Sequence, residues 1–207
     1  MAQLLAVTDY ITSLAEAERV YEVTASPDFV LFFPEWMAQL ESLTEAERKR
    51  LDLIKQRYLY HRQYGHLLEN AVNFLVISPL LEMAGFYDPP FLLKSEASVR
   101  FEVEDENRKV YQGRIDALVV SDDLWIVLVE SKRTSFNLTT ALPQALAYMA
   151  SSSQEGPKFG LVSNGEYSIF VKLDSAQYAF SDDFSLNRRR NELWDVLRIL
   201  NRLKSNA

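Results

Sequence analysis

Hydrophobic and polar positions follow two different periods along the chain, and the change falls near Asp88–Pro89–Pro90. Before it, the spacing is helical. Residues 8–24 are predicted as a helix, with Thr8 or Thr12 as its cap and Leu14, Ala17, Val20 and Tyr21 near one stripe. SPDFVLFFPEW (26–36) reads as a Pro-bounded connector holding a short apolar run. At Thr44, TEAE places Glu47 three residues after a capping hydroxyl, the arrangement of a capping box, and a helix is predicted from there to about Tyr64. Leu51, Ile54, Tyr58 and His61 lie along one of its sides, while Arg48, Lys49, Lys55, Arg57 and Arg62 make the other basic. HLLENAVNFLVISPLLEMAGF predicts a second helix over roughly 66–84, kinked at Pro79 and stopped by Gly85.

After the prolines the period falls to two. ASVRFEVE (97–104), VYQGRIDALVV (110–120) and LWIVLVESK (124–132) are predicted strands, with EDENRK and SDD as hairpin loops. TTALPQALAYMASS (139–152) reads as a helix, and KFGLVSNGEYSIFVKL (158–173) as a hairpin turning at Asn164–Gly165. A final helix is predicted over 186–204, with Leu193, Val196, Leu197 and Leu200 as its apolar stripe. Helices, three strands, a helix, two strands and a helix imply an α/β fold, a central mixed sheet flanked by helices, with an N-terminal helical extension. The extension is expected over 1–64, packed on a core of 65–207 within one compact domain.

Composition narrows the class. With 207 residues and 48% apolar content the chain has the make-up of one soluble globular domain. It has no cysteine, which excludes disulfides and thiolate metal sites. MAQLLAVTDYITSLAEAE lacks a basic n-region and carries Asp9, so no signal peptide is expected. The most apolar segment is short and broken by Asn73, Pro79 and Glu82, so no membrane span is expected either. A cytoplasmic location follows as the expectation.

The net charge of −7 argues against a polyanion partner until its distribution is considered. Residues 1–47 hold nine acids against Arg19 alone, leaving basic clusters at Arg48–Arg50 and Arg188–Arg190 in a nearly neutral remainder. That asymmetry suggests an acidic arm folding over a basic groove, as an autoinhibitory or dimer-forming element. Arg188–Arg190 are expected either to contact phosphates or to begin the last helix against its dipole.

Charge also interrupts the strands. In LWIVLVESKR one face reads Leu124, Ile126, Leu128, Glu130, Lys132, so an apolar strand buried on both sides ends in an acid and a base. Asp116 interrupts the neighbouring strand, and a hairpin near Asp122–Asp123 brings it beside Glu130 within a register slip or two. Two carboxylates converging at a partly dry strand end repel unless a cation lies between them. A hard divalent ion answers this: Mg²⁺ takes oxygen ligands, typically one or two protein carboxylates plus phosphate oxygens. Lys132, beside an ion-bound water, would orient it. The bland alternative is an ion pair Glu130–Lys132 at the sheet's end, worth little.

GRID followed by VESKR resembles the core of the PD-(D/E)XK nuclease superfamily, in which an Asp on one strand and a Glu-x-Lys on the next form the metal site. Ile115 stands where that motif has proline. The resemblance extends over roughly 65–175. It implies Glu69, on the helix before the strands, as a further metal-sphere acid. It implies Gln144 and Tyr148 of QALAY as the Gln-x-x-x-Tyr pair of RecB-like nucleases and type I restriction subunits. FGLVSNGEYSIFV is similar to a strand–Asn-Gly–strand hairpin of those subunits. The chain is thereby expected to be a restriction-endonuclease-like, Mg²⁺- or Mn²⁺-dependent DNA endonuclease. Asp116, Glu130 and Glu69 would hold the metal, and Lys132, Gln144 and Tyr148 would complete the site. The simpler alternatives are a solvated helix acid at Glu69, a surface glutamine at Gln144 and a core tyrosine at Tyr148. His61 and His66 fit no ligand spacing and are expected to be structural. No P-loop Gly-Lys-Ser/Thr pattern is present, so no nucleotide cofactor is expected and a stand-alone nuclease domain is. Homodimerisation stays open, as does a second reading, an inert nuclease-fold module binding nucleic acid or a protein partner.

Overall fold

A computed structural model of the chain describes residues 11–65, 67–92, 94–95, 98–101, 111–114, 117–121, 124–128, 138, 141–152 and 156–206, with backbone alone for residue 69, the strands within 94–128 and residue 206. Helix α1 (Leu14–Tyr21) is capped by Ser13, one residue after Thr12, while Thr8, the other predicted cap, lies outside the described residues. Ser13 accepts from the Glu16 amide, while the Glu16 carboxylate accepts from the Thr12 and Ser13 amides. The Thr12 amide is the main cause of a Glu16 carboxyl held below its usual range. A two-residue strand β1 (Thr24–Ala25) follows, then two one-turn helices, α2 (Phe29–Phe32) and α3 (Pro34–Met37), inside the segment expected to be a connector.

Helix α4 (Glu45–Arg62) carries the predicted capping box, with Thr44 Oγ1 accepting from the Glu47 amide and Glu47 Oε2 accepting from the Thr44 amide. The next helix is one run of three parts: α5 (Glu69–Val72), a π-helical turn (Asn73–Ile77) and α6 (Ser78–Ala84). Pro79 lies two residues beyond the wide turn, in the first turn of α6, where it supplies no N–H to the ladder. Gly85 ends the run at φ 77°, as its lack of a β-carbon allows.

The strands are β2 (Lys94–Ser95), β3 (Ser98–Phe101), β4 (Tyr111–Arg114), β5 (Ala117–Ser121) and β6 (Leu124–Leu128), then β7 (Lys158–Ser163), β8 (Tyr167–Asp174), β9 (Gln177–Phe180) and β10 (Phe184–Ser185). Helix α7 (Leu142–Ser151) lies between β6 and β7 in sequence, and α8 (Leu193–Asn206) closes the chain. Eight strands form one mixed sheet in the order β1-β9-β8-β7-β6-β5-β2, with β10 added to β8. The β6–β7 and β1–β9 pairs are parallel and the others antiparallel. The predicted strand 110–120 is divided: β4 pairs with β3 in a separate two-stranded ribbon, and only β5 joins β6.

Alternation along β7 and β8 sends side chains to both faces, and each face has its own core. Val162, Ile169 and Val171 meet α1 and α7 on one side, with Ile11, Ala17, Leu146 and Met149 buried there. Phe159, Leu161 and Phe170 meet α4, α6 and α8 on the other, with Leu51, Ile77, Leu81 and Leu197. Burying one such side chain contributes about 1.5–3 kcal/mol, so two faces covered by helices hold β7 and β8 firmly in place. The described part of the segment expected to fold over a groove is instead built into these cores: Ile11, Ala17 and Val23 join the first, Leu43 joins the second, and β1 extends the sheet beyond β9.

Candidate active site

The strand register defines where the charged segment would act. Ala117 of β5 lies opposite Val127 of β6, so in sequence Asp116 precedes that pair by one residue and Glu130 follows it by three. Asp116, Glu130 and Lys132 lie outside the described residues. The strands leading to them are anchored: β6 runs parallel to β7, with Leu128 in register with Ser163. The C-terminal end of β6 therefore lies beside the turn joining β7 to β8.

That turn is tightly built. Asn164 Oδ1 accepts from the amides of Glu166 (3.1 Å) and Tyr167 (2.9 Å). Ser163 Oγ donates to the Tyr167 carbonyl and accepts from the Gly165 amide, so the buried Ser168 hydroxyl 2.9 Å away is the donor between the two serines. Gly165 has φ 83°, and a β-carbon there would lie 2.6 Å from Val72 Cγ1 and 3.2 Å from a ring carbon of Tyr58. The missing side chain thus lets α4 and α5 close onto the end of the sheet. Glu69 begins α5 one helical turn before Val72, so its backbone lies at the same end as the terminus of β6.

Around this turn the groups are polar and tied together. Tyr58 is buried, and burial, reinforced by the negative charge of Glu166, pushes its phenol up to about 12. Arg62 Nε stands 3.4 Å from Glu166 Oε2, and Asn187 Nδ2 donates to Glu166 Oε1. Sequence reasoning placed Tyr58 only in a core stripe and assigned Glu166 nothing. The Asn164–Gly165 turn was the one signal that positioned Glu166.

Gln144 and Tyr148 lie one turn apart on α7, Gln144 half-buried and Tyr148 only 3% exposed. Tyr148 belongs to the core shared by α1, α7 and Val162, on the sheet face opposite Tyr58 and Val72. The two helices expected to supply site residues thus flank the sheet from opposite sides. Gln144 and Tyr148 come together; Glu69 is placed by its backbone.

Two other sequence expectations change. His61 is exposed and packs edge-on to Tyr60 rather than joining the stripe of Leu51, Ile54 and Tyr58; His66 lies outside the described residues. Arg188–Arg190 precede α8 by several residues and do not begin it. Arg188 pairs with Asp183 and Glu192, Arg190 pairs with Asp195, and the carbonyls of both accept from Lys55. Lys55, distant in sequence, and acids within five residues hold this loop in place.

Among the described residues no three His, Asp or Glu side chains gather as a metal site, and no helix is long and apolar enough to cross a membrane. The carboxylates expected to gather, Asp116, Glu130 and Glu69, are all hard oxygen donors in a chain without thiols, a set that fits Mg²⁺ or Mn²⁺ rather than a soft metal. Comparison with known families matches residues 32–178 to the one described as type I restriction enzyme R protein N terminus. That span encloses all six expected site residues and the β7–β8 hairpin. No curated protein matches the chain.

Proposed function

Because the chain belongs to the family of type I restriction enzyme R protein N-terminal domains, with a restriction-endonuclease-like α/β core, we propose that it is a metal-dependent endodeoxyribonuclease. It hydrolyses phosphodiester bonds of DNA at the C-terminal end of β6. The observation that supports this reading is the closure of α5 onto the β7–β8 turn, beside the end of β6, through Val72 and Gly165; in sequence Glu69 opens α5 and Glu130 follows β6.

In this reading Asp116, Glu130 and Glu69 hold a Mg²⁺ or Mn²⁺ ion. Bound there, the ion supplies charge neutralisation at the phosphate and a more acidic water. Lys132 donates to the attacking water and fixes its approach to phosphorus. Gln144 has hydrogen-bonding groups to offer the DNA strand from a half-buried position. Tyr148, held by the α7 core, restrains the orientation of that helix. Paired Arg62 and Glu166 add little net charge at the turn, leaving phosphate attraction to the ion and to Lys132.

Mg²⁺-dependent cleavage of plasmid and single-stranded DNA, measured beside Lys132→Ala, tests the assignment. Cleavage by the intact chain that falls at least a hundredfold in the variant is expected. Equal activity in both would overturn the role of Lys132. DNA binding without cleavage by the intact chain would favour the inert module.

A further inference from the structure

Helix α4 carries a second stripe that neither core uses. Opposite buried Leu51, Ile54 and Tyr58, residues Leu53, Arg57, Tyr60, His61 and Tyr64 recur at three- and four-residue spacing, all exposed. Tyr60 is 56% and Tyr64 74% exposed, and their ring centroids lie 5.4 Å apart. The His61 ring lies 5.3 Å from that of Tyr60 on the same stripe. These edge-on contacts still leave more than half of each tyrosine in water.

The charge around the rings is one-sided. Between Asp52 and Glu69 the sequence has no acid but has Lys55, Arg57 and Arg62, in a chain whose net charge is −7. Lys55 is engaged with the carbonyls of Arg188 and Arg190, and Arg62 with Glu166. Arg57 has no ion pair or hydrogen bond among the described residues, and it is the basic member of the aromatic stripe.

The stripe also lies near the proposed site. Helix α4 runs antiparallel to the α5–α6 run, since Arg50 meets Glu82 at one end while Tyr58 and Val72 meet over Gly165 nearer the other. Tyr60, in the last turn of α4, and Tyr64, just beyond the helix, therefore fall on the stretch that leads to Glu69. Along the partner run Leu68 is 63% and Phe74 76% exposed. Exposed aromatic faces with an arginine one turn before them are the elements of a single-strand binding surface, in which bases stack and phosphates meet the cation.

We infer that this stripe is a stacking platform for unpaired bases: Tyr60 and Tyr64 take successive bases of a single-stranded or frayed DNA segment, and Arg57, one turn before Tyr60, takes the phosphate beside the base on Tyr60. The inference rests on the reading of the chain as a DNA nuclease and specifies which DNA it engages. The bland alternative, a face covered by a second copy of the chain, has no acid on this stripe to complement its own arginine.

The test measures binding without metal, so that it stands apart from catalysis. Anisotropy of a labelled oligothymidine and of a matched hairpin duplex is recorded in EDTA for the intact chain, Tyr60→Ala/Tyr64→Ala, Tyr60→Phe/Tyr64→Phe and Arg57→Ala, with sedimentation of each. The single strand is expected to bind more tightly than the duplex. The double alanine variant should lose at least about tenfold in single-strand affinity, and the double phenylalanine variant should stay within about twofold of the intact chain. Arg57→Ala should lower the salt slope by about one. All positions are exposed, so unchanged thermal melts are expected to accompany these losses. Equal single-strand affinity in the alanine variant, or no preference for single strands, would overturn the platform even if Mg²⁺-dependent cleavage is found. A dimer that the alanine variant dissociates, with DNA affinity unmoved, would overturn it in favour of a self-association face. Loss of single-strand binding in the alanine variant would uphold it even if Lys132→Ala leaves cleavage unchanged.

Discussion

Lys172 Nζ stands 2.7 Å from Glu35 Oε1, with only 7% and 10% of the two side chains exposed. The ammonium also donates to the Phe32 carbonyl and lies over the rings of Phe32 and Phe159, while Glu35 Oε2 is buried without a hydrogen-bond partner among the described residues. The pair pins the α2–α3 segment to the sheet face between β8 and α8. Removing one partner leaves a buried charge behind. Glu35→Ala or Lys172→Ala is expected to cost about 3 kcal/mol, whereas Glu35→Leu/Lys172→Met together should cost clearly less than the sum. Urea unfolding of the two single variants and the double variant, read as a mutant cycle, checks this.

Tyr58 gives stability a dependence on alkaline pH. Burial holds its phenol at about 12, above the ordinary value of 10.0. Below pH 10 both folded and unfolded chains keep the proton, and the contribution is fully present. Between about 10 and 12 the unfolded chain releases it first, so the contribution is lost as pH rises through that window. Tyr178 acts in the same direction, raised by burial and by the hydrogen bond it donates to Glu18. The difference in unfolding free energy between the intact chain and Tyr58→Phe should therefore shift toward the variant as pH rises from 9.5 to 11.5. A difference constant over that range would refute the link.

Gly165 is constrained twice, by φ 83° and by the 2.6 Å approach of Val72 to any β-carbon placed there. Gly165→Ala is expected to destabilise by at least about 1 kcal/mol from backbone strain, with the clash in addition. Val72→Ala in the same chain should recover the clash and leave the strain, giving a favourable coupling between the two changes. Chemical denaturation measures the coupling, and a purely additive pair would mean that α5 shifts freely.

The proposed metal site would have a thermodynamic signature. In the proposed site Asp116, Glu130 and Glu69 repel one another until an ion joins them. Saturating Mg²⁺ should raise the melting temperature of the intact chain by several degrees, and EDTA should reverse it. Asp116→Asn should abolish the rise and leave the metal-free protein at least as stable as before. Calorimetry against Mg²⁺ provides the independent readout.

The parts of this fold that the amino-acid pattern revealed are those whose information is local. Thr44 and Glu47 cap each other within four residues, Gly85 ends its helix, and Asn164–Gly165 turns its hairpin, each as expected. What stayed hidden depends on distant partners. The 26–36 segment reads as a connector because α2 and α3 are too short for a helical period; Phe33 and Glu35 are buried only because Trp36 stacks on Phe33 and Lys172 reaches Glu35. Strands β1, β2 and β10 have two residues each and become strands only through their neighbours. The break between β4 and β5 is equally silent, since both halves carry the same alternation. At the site, QALAY displays Gln144 and Tyr148 on one helical face, but their differing burial is set by α1 and the sheet. Asp116, Glu130 and Lys132 are singled out by the sequence alone, as charge in otherwise apolar runs, and lie outside the described residues.

The wide turn at Asn73–Ile77 is, in effect, one residue more than a straight helix would hold. A residue in a helix is worth about 100° of rotation and 1.5 Å of rise. The extra one therefore acts as a phase shifter between two halves of a single rod. The half after it is keyed to the core by Leu80, Leu81 and Ala84, and the half before it meets Gly165 through Val72. Deleting one residue from the turn would leave α6 seated and swing everything upstream, Glu69 included, by about a quarter of a circle. In this protein the angular setting of α5 against the sheet is written as an insertion, not as a side chain.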